Sequence, residues 1–216
     1  MNNNNFSIIW DWNGTLVDDA PVFIKIMNFF LTQRNLPLIT LEDYRRSFVF
    51  PVKNYYKNLG FDFSKESFDS LSAEFIDKYK KAMFSPPLVK NIKSLLSELN
   101  QKKTTQTIVS AQEHNLLKQA VNHYNVGSYF CYVQGINNYQ ATSKISIAKK
   151  VFKERLKQSR KTILIGDTEH DAEVARALRI DCCLVSYGHC TKTKLLKTSF
   201  PVVGSVEELR EVLFNY

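Results

Sequence analysis

The sequence predicts an α/β fold, in which an open parallel sheet carries a small helical bundle inserted after its first strand. Three observations support this prediction. Short apolar runs rich in β-branched residues recur along the chain, helical patterns separate most of these runs, and residues 18–85 contain helical patterns without a convincing strand. Strands that alternate with helices are typical of parallel sheets, because parallel neighbours need a crossover connection.

The predicted strands are short and apolar throughout, as expected of parallel strands that are buried on both faces. The first of them, FSIIW, ends in a charged turn that contains a glycine, and TIVS and TILIG have the same apolar character. The candidate strands cover residues 6–10, 107–110, 162–166, 181–186 and 200–203.

Helices are predicted where apolar residues recur at spacings of three and four, which places them on one helical face. In the run LVKNIKSLLSELNQ these positions are Ile92, Leu95, Leu96 and Leu99. Such patterns cover residues 88–101, 112–124, 143–158, 169–179 and 205–214.

The segment without strands is predicted to form a helical bundle of its own. Pro37, Pro51 and the Pro86–Pro87 pair punctuate it, and proline interrupts helices because it lacks a backbone N–H. We therefore expect an α/β core domain formed by residues 1–17 and 87–216, and a helical domain formed by residues 18–86.

Composition and charge describe an ordinary globular chain of 216 residues with 44% hydrophobic residues and a formal net charge of +8. No apolar run approaches the roughly 20 residues that cross a bilayer, and no secretory signal is visible at the start. We therefore expect a cytoplasmic protein without a membrane partner. Lysine and arginine are scattered instead of forming a stripe, so nucleic acid is not an expected partner either.

The first strand delivers Asp11 to the carboxyl end of the sheet, where ligands bind in open α/β folds. A carboxylate at that place can coordinate a hard cation or attack an electrophile. Gly14 allows a sharp turn, and the hydroxyl of Thr15 can bind phosphate. The alternative interpretation is an ordinary turn, because D-x-N-G is common turn chemistry.

Other segments supply further candidates, each with a structural alternative. Ser110 follows a strand and can bind an anion, although S-x-x-E is also a capping box for a helix. Asp167 and Asp171 add carboxylates suited to Mg²⁺, although Thr168 with Asp171 is a capping pattern as well. Lys144 opens a helical pattern and is either a surface residue or a positive charge beside phosphate.

Taken in order, D-x-N-G-T-L-x-D, a serine at a strand end, a lysine on a helix and G-D-T-x-x-D resemble the haloacid dehalogenase-like hydrolases. The resemblance covers nearly the whole chain and is closest to the phosphoglycolate phosphatase-like branch. It implies a Rossmann-like core with a helical cap domain inserted after the first motif. It also implies a phosphatase that hydrolyses a small phosphorylated metabolite.

The resemblance assigns a role to each motif residue. Asp11 would form an aspartyl-phosphate, and Lys144 would neutralise charge between Asp11 and the phosphate. The hydroxyls of Thr15 and Ser110 would bind phosphoryl oxygens. Mg²⁺ would be held by Asp11, by the backbone carbonyl of Asn13, by Asp167 and, directly or through water, by Asp171.

One position departs from the family pattern, because Asn13 stands where these phosphatases usually carry a general acid and base aspartate. An amide cannot exchange a proton in the required range, and such help is typically worth about 10²–10⁴-fold. Three hypotheses follow. In the first, the substrate is an acyl or aryl phosphate, whose leaving group needs little protonation, and in the second, another residue such as His170 or Asp18 takes over the proton transfer. The third hypothesis is a weakly active or inactive phosphate-binding protein that acts through a partner.

Overall fold

The computed structural model describes residues 6–138, 143–156, 159 and 161–216. Its centre is a parallel sheet of six strands in the order β3-β2-β1-β4-β5-β6, which confirms the predicted fold class. The strands are β1 (Phe6–Trp10), β2 (Thr105–Glu113), β3 (Tyr132–Ile136), β4 (Lys161–Gly166), β5 (Asp181–Val185) and β6 (Val202–Val203).

The two edge strands depart from the prediction in different ways. Strand β3 was missed, because Tyr132, Val133 and Gln134 are only half-buried and do not form an apolar run. Strand β6 has two residues, fewer than its predicted range. An edge strand has one free side, so the requirement for continuous burial that identifies central strands does not apply to it.

The helices fall into two groups. Four helices follow β1 and form the predicted helical insertion: α1 (Ala20–Gln33), α2 (Leu41–Ser47), α3 (Val52–Asn58) and α4 (Phe68–Ala82). The others accompany the sheet: α5 (Ile92–Gln101), α6 (His114–His123), α7 (Ile145–Val151), α8 (Glu169–Leu178), α9 (Lys192–Leu196) and α10 (Val206–Phe214). The last turn of α7 continues as a short π-helical segment, Phe152–Leu156. None of the helices in the described ranges has the length and apolar character needed to span a bilayer.

Helices α1 and α4 pack through their apolar faces, and one end of this contact stays open. Phe30 and Leu71 are fully buried, whereas Phe23 and Phe75 are half-buried although their rings lie 5.3 Å apart. The exposed parts of these two rings line a cavity between the insertion and the sheet.

The chain leaves the sheet for the insertion and returns from it at one place. Val17 and Leu88 form an antiparallel bridge. The N–H of Asp18 donates to the carbonyl of Pro87 at 3.0 Å, and the N–H of Val89 donates to the carbonyl of Leu16 at 3.0 Å. The two crossings are therefore held together by backbone groups; the limits of the two domains, 1–17 with 87–216 and 18–86, stay a prediction.

Candidate active site

Neighbouring strands bring the predicted carboxylates together. Strands β1 and β4 are paired, so Asp11 and Asp167 follow them side by side at the carboxyl edge, and Asp171 lies in the first turn of α8. One oxygen from each of the three lies within 4.8 Å of the others, and all three residues are buried.

Lys144 completes this cluster from the beginning of α7. Its Nζ lies 2.5 Å from Asp11 Oδ1 and 2.7 Å from Asp171 Oδ1, and only 2% of the residue is exposed. Burial opposes the charge on Lys144, but Asp11 and Asp171 outweigh it and raise the pKa of the ammonium group. Of the two interpretations of this lysine, the structure excludes a solvated surface residue.

The carboxylates carry more negative charge than Lys144 compensates. Burial, reinforced by the neighbouring carboxylates, raises the pKa of Asp11 to about 6 and that of Asp167 to about 7. Burial also disfavours ionisation of Asp171, but Lys144 and the hydrogen bonds from Lys144 and Thr168 outweigh it and lower the pKa. Three buried carboxylates around one ammonium group would be relieved by a further cation.

The two oxygens of Asp171 make different contacts, so this residue caps helix α8 and also belongs to the carboxylate cluster. Oδ2 accepts hydrogen bonds from the N–H and the hydroxyl of Thr168 at 2.9 and 2.6 Å, which caps helix α8. Oδ1 faces Lys144. Gly166 makes this possible, because a Cβ there would lie 2.2 Å from the Asp171 carboxyl carbon.

Ser110 lines the cavity beside Asp11, but the expected capping box does not form. Strand β2 continues to Glu113, and helix α6 begins at His114 with Glu113 as its N-cap. The Glu113 carboxylate accepts from the N–H groups of Asn115 and Leu116 at 3.0 Å each. The prediction that Ser110 opens the helix was therefore wrong, because β2 extends along β3 through a register shift.

Thr15 is fully buried, and its hydroxyl donates to Asp167 Oδ1 at 3.2 Å. In this position it orients the carboxylate of Asp167. Its direct contact with phosphate stays a prediction.

Asn13 points towards the helical insertion. Its amide donates to Asp19 Oδ2 at 2.5 Å and to the hydroxyl of Tyr79 at 2.8 Å. Asp19 is fully buried and also accepts from the N–H of Gly14 at 3.0 Å. Asp18, considered as a substitute acid, is exposed; its neighbour Asp19 is the carboxylate that contacts Asn13.

Two histidines flank the cluster, and both are buried. His189 Nε2 lies 3.2 Å from Asp19 Oδ1 and its Nδ1 lies 2.7 Å from the hydroxyl of Tyr44. Burial lowers the pKa of this imidazole, but Asp19 and the nearby carboxylates outweigh burial and raise it. His170 Nε2 accepts from the N–H of Lys144 at 3.2 Å, so His170 positions the lysine. Neither histidine is therefore an exposed surface residue.

Sequence reasoning missed the network of Asp19, Tyr79 and Tyr44. Asp19 has the sequence position of an N-cap for α1 and occupies that position, but its side chain makes no cap hydrogen bond. The one available signal was the presence of two successive acids where a single cap suffices.

Comparisons with known proteins agree with this geometry. A family model for haloacid dehalogenase-like hydrolases matches residues 8–185. Phosphoglycolate phosphatase from Caulobacter vibrioides is 27% identical over 194 residues, which cover 86% of this chain and 81% of that protein. Tyrosine-protein kinase PtkA from Mycobacterium tuberculosis is 21% identical over 210 residues, which cover 95% of this chain and 72% of that protein.

A crystal structure described as a predicted phosphatase from Clostridium acetobutylicum has the same fold. It superposes with a TM-score of 0.83 at 22% identity and covers 98% of this chain and 99% of that one. The motif order, the buried carboxylates at the ends of β1 and β4, and the match over residues 8–185 lead to one conclusion: the chain belongs to the haloacid dehalogenase-like hydrolase family.

Proposed function

We propose that this protein is a Mg²⁺-dependent phosphatase that hydrolyses a small phosphorylated metabolite through an aspartyl-phosphate on Asp11. One observation carries the proposal: Lys144 pairs with two of three buried carboxylates that lie together, beside a cavity that Asp11, Lys144 and Asp167 line. The names of the phosphatase relatives support the same activity.

The residues present fit a divalent metal. Oδ1 of Asp11 and Oδ1 of Asp171 are buried and, Lys144 apart, have no hydrogen-bond partner among the described residues. Asp11, Asp167 and Asp171, with the backbone carbonyl of Asn13, would hold Mg²⁺, which prefers oxygen ligands. When bound, the cation would neutralise charge on the phosphoryl group.

Asp11 would act as the nucleophile. A carboxylate oxygen attacks phosphorus, the bond from phosphorus to the leaving oxygen breaks, and that oxygen departs with the electron pair and takes a proton. Water then hydrolyses the aspartyl-phosphate and restores the Asp11 carboxylate. Lys144 holds Asp11 in place and balances charge, which is most of what phosphoryl transfer requires. Ser110 would bind a phosphoryl oxygen, and Thr15, through Asp167, keeps the cluster aligned.

The alternative is a weakly active or inactive phosphate-binding protein that acts through a partner. The asparagine at position 13 favours it, because the Asn13 amide already donates to Asp19 and Tyr79 and offers no acid to a leaving group.

Release of inorganic phosphate, with and without Mg²⁺, tests the proposal in wild type, Asp11→Asn and the exposed control Asp18→Asn. We expect Asp11→Asn to lose at least about 10³-fold in kcat, as removal of a nucleophile does, and Asp18→Asn to keep wild-type activity. Turnover that survives Asp11→Asn would disprove the nucleophile. Binding of phosphate analogues without turnover in any form would favour the alternative.

A further inference from the structure

The cavity above the carboxylate cluster has an aromatic wall. Helices α1 and α4 and the loop before α3 supply the half-buried rings of Phe23, Phe75 and Phe50. The Phe23 ring lies 5.3 Å from Phe75 and 5.0 Å from His189, and Phe50 packs on His170 at 4.9 Å. Partly exposed phenylalanine rings that share one cavity are a binding surface for an apolar group.

The same wall offers no lysine or arginine to a second anionic group. Among the lining residues that the structure describes, Lys144 is the only lysine or arginine, and it pairs with two carboxylates. Arg45 does not line the cavity and donates to the carbonyls of Gly188 and Tyr187 at 2.7 and 2.6 Å. Arg46 pairs with Glu42 on the surface. A leaving group with a carboxylate would lose its hydration here without a lysine or arginine free to pair with it.

One buried polar group on the wall is unpartnered. Gln112 is 9% exposed and lines the cavity. Neither atom of its carboxamide has a hydrogen-bond partner among the described residues. A buried amide without a partner is costly, so Gln112 suits a neutral polar substituent on the bound group.

Asn13 points independently to an aromatic leaving group. Without an acid there, the leaving oxygen must depart with little help from a proton. A phenol has a pKa of about 10, against about 15.7 for water. An aryl oxide therefore leaves far more readily than an alkoxide.

We propose that the substrate is a small aryl phosphate monoester, whose uncharged ring lies against Phe23, Phe50 and Phe75 with a polar substituent near Gln112. This inference rests on the proposed phosphatase function. Asp11 attacks phosphorus, the bond to the aryl oxygen breaks, and the aryl oxide takes its proton from solvent.

Non-hydrolysable phosphonates test the pocket without requiring turnover. Calorimetric dissociation constants with Mg²⁺ would be measured for benzylphosphonate, methylphosphonate and 3-phosphonopropionate. The variants are Phe75→Leu and Phe50→Leu, with Phe29→Leu as the control, since Phe29 lies on α1, is 42% exposed and does not line the cavity. Far-ultraviolet circular dichroism confirms that each variant folds.

We expect benzylphosphonate to bind about tenfold or more tightly than the other two phosphonates, in line with burial of an aromatic ring. Each cavity variant should weaken benzylphosphonate alone by about 3- to 10-fold, and Phe29→Leu should change nothing. Equal binding of benzyl- and methylphosphonate, or tighter binding of 3-phosphonopropionate, would overturn the inference while leaving the phosphatase proposal intact.

Hydrolysis assays distinguish a small aryl phosphate from a phosphotyrosine side chain as the substrate. Phenyl phosphate should be turned over with a higher kcat/KM than a peptide that contains phosphotyrosine, because helices of the insertion supply the wall of the cavity. A preference for the peptide would overturn the assignment to a small substrate. Aryl hydrolysis that survives Asp11→Asn would instead disprove the phosphatase mechanism, while preferential binding of benzylphosphonate would still support the pocket.

Discussion

The two walls of the cavity are built on different principles. At the sheet edge, Asp11, Asp167, Asp171 and Lys144 form a buried charged cluster, in which Lys144 pairs with Asp11 and Asp171. Across from it, the insertion presents the neighbouring rings of Phe23 and Phe75, which leave part of their surface open. In the proposed reaction, the charged side would determine which bond breaks and the aromatic side would determine which group on phosphorus is accepted, so substitutions on the two sides should affect different measurements.

The largest effect is expected at Lys144. Lys144→Met leaves the buried carboxylates of Asp11 and Asp171 without their ammonium partner, so kcat should fall by about 10²–10³-fold and the free energy of unfolding by about 3–5 kcal/mol. Phosphate release and urea denaturation measure the two effects. The matched control is Lys149→Met, because Lys149 is exposed on the same helix. An equal loss of activity and stability in both variants would contradict the role given to the carboxylate cluster.

Asn13→Asp should raise turnover of alkyl phosphates by about 10²-fold, and that of aryl phosphates by less. The new carboxyl group would face Asp19, which lies 2.5 Å from the present amide, and two carboxyl groups so close share a proton that can be donated. Steady-state kinetics on an alkyl and an aryl phosphate measure the difference. Asn122→Asp, on the exposed face of α6, controls for charge. Equal effects on both leaving groups would contradict the role given to position 13.

Gln112→Met should raise the free energy of unfolding by about 1–3 kcal/mol, because it removes two buried polar atoms that lack partners. Gln106→Met is the matched control, since Gln106 accepts from Trp10 Nε1 at 3.1 Å and donates to the carbonyl of Leu96 at 3.0 Å. That variant should be destabilised. Thermal and urea unfolding compare the pair, and destabilisation of both would show that Gln112 is satisfied in the folded protein.

The smallest effect is expected at Tyr44, where the two walls meet. Tyr44→Phe removes the hydroxyl group that lies 2.7 Å from His189 Nδ1 and should cost about 0.5–1.5 kcal/mol of stability. The binding of benzylphosphonate should stay within about twofold, because the ring itself remains. A tenfold loss of binding would place the hydroxyl group in contact with the ligand.

Sequence patterns predicted the charged wall far better than the aromatic one. Asp11 and Asp167 could be placed together because each follows a buried apolar strand, and parallel strands end at one edge. The helical patterns within residues 18–85 predicted helices there, but they could not separate the part of Phe23 and Phe75 that packs from the part that faces a cavity. That division depends on how α1 and α4 lie over the sheet.

Other misses have local causes. Ser110 and Glu113 have the spacing of a capping box, but strand pairing with β3 keeps this segment extended for three more residues. Asp19 precedes a proline at a helix start, which is what a capping residue does, and only the fold brings Asn13, Tyr79 and His189 around it. Contacts between distant segments carry no periodic signal in the chain.

The junction at Val17 and Leu88 has a consequence for how such proteins diversify. The two connecting segments are held together by backbone hydrogen bonds of 3.0 Å, from Asp18 N to Pro87 O and from Val89 N to Leu16 O. Backbone hydrogen bonds depend little on which side chains are present. A different helical domain inserted between these points would pack on the same sheet. The phosphate chemistry would then be kept while the range of substrates changed.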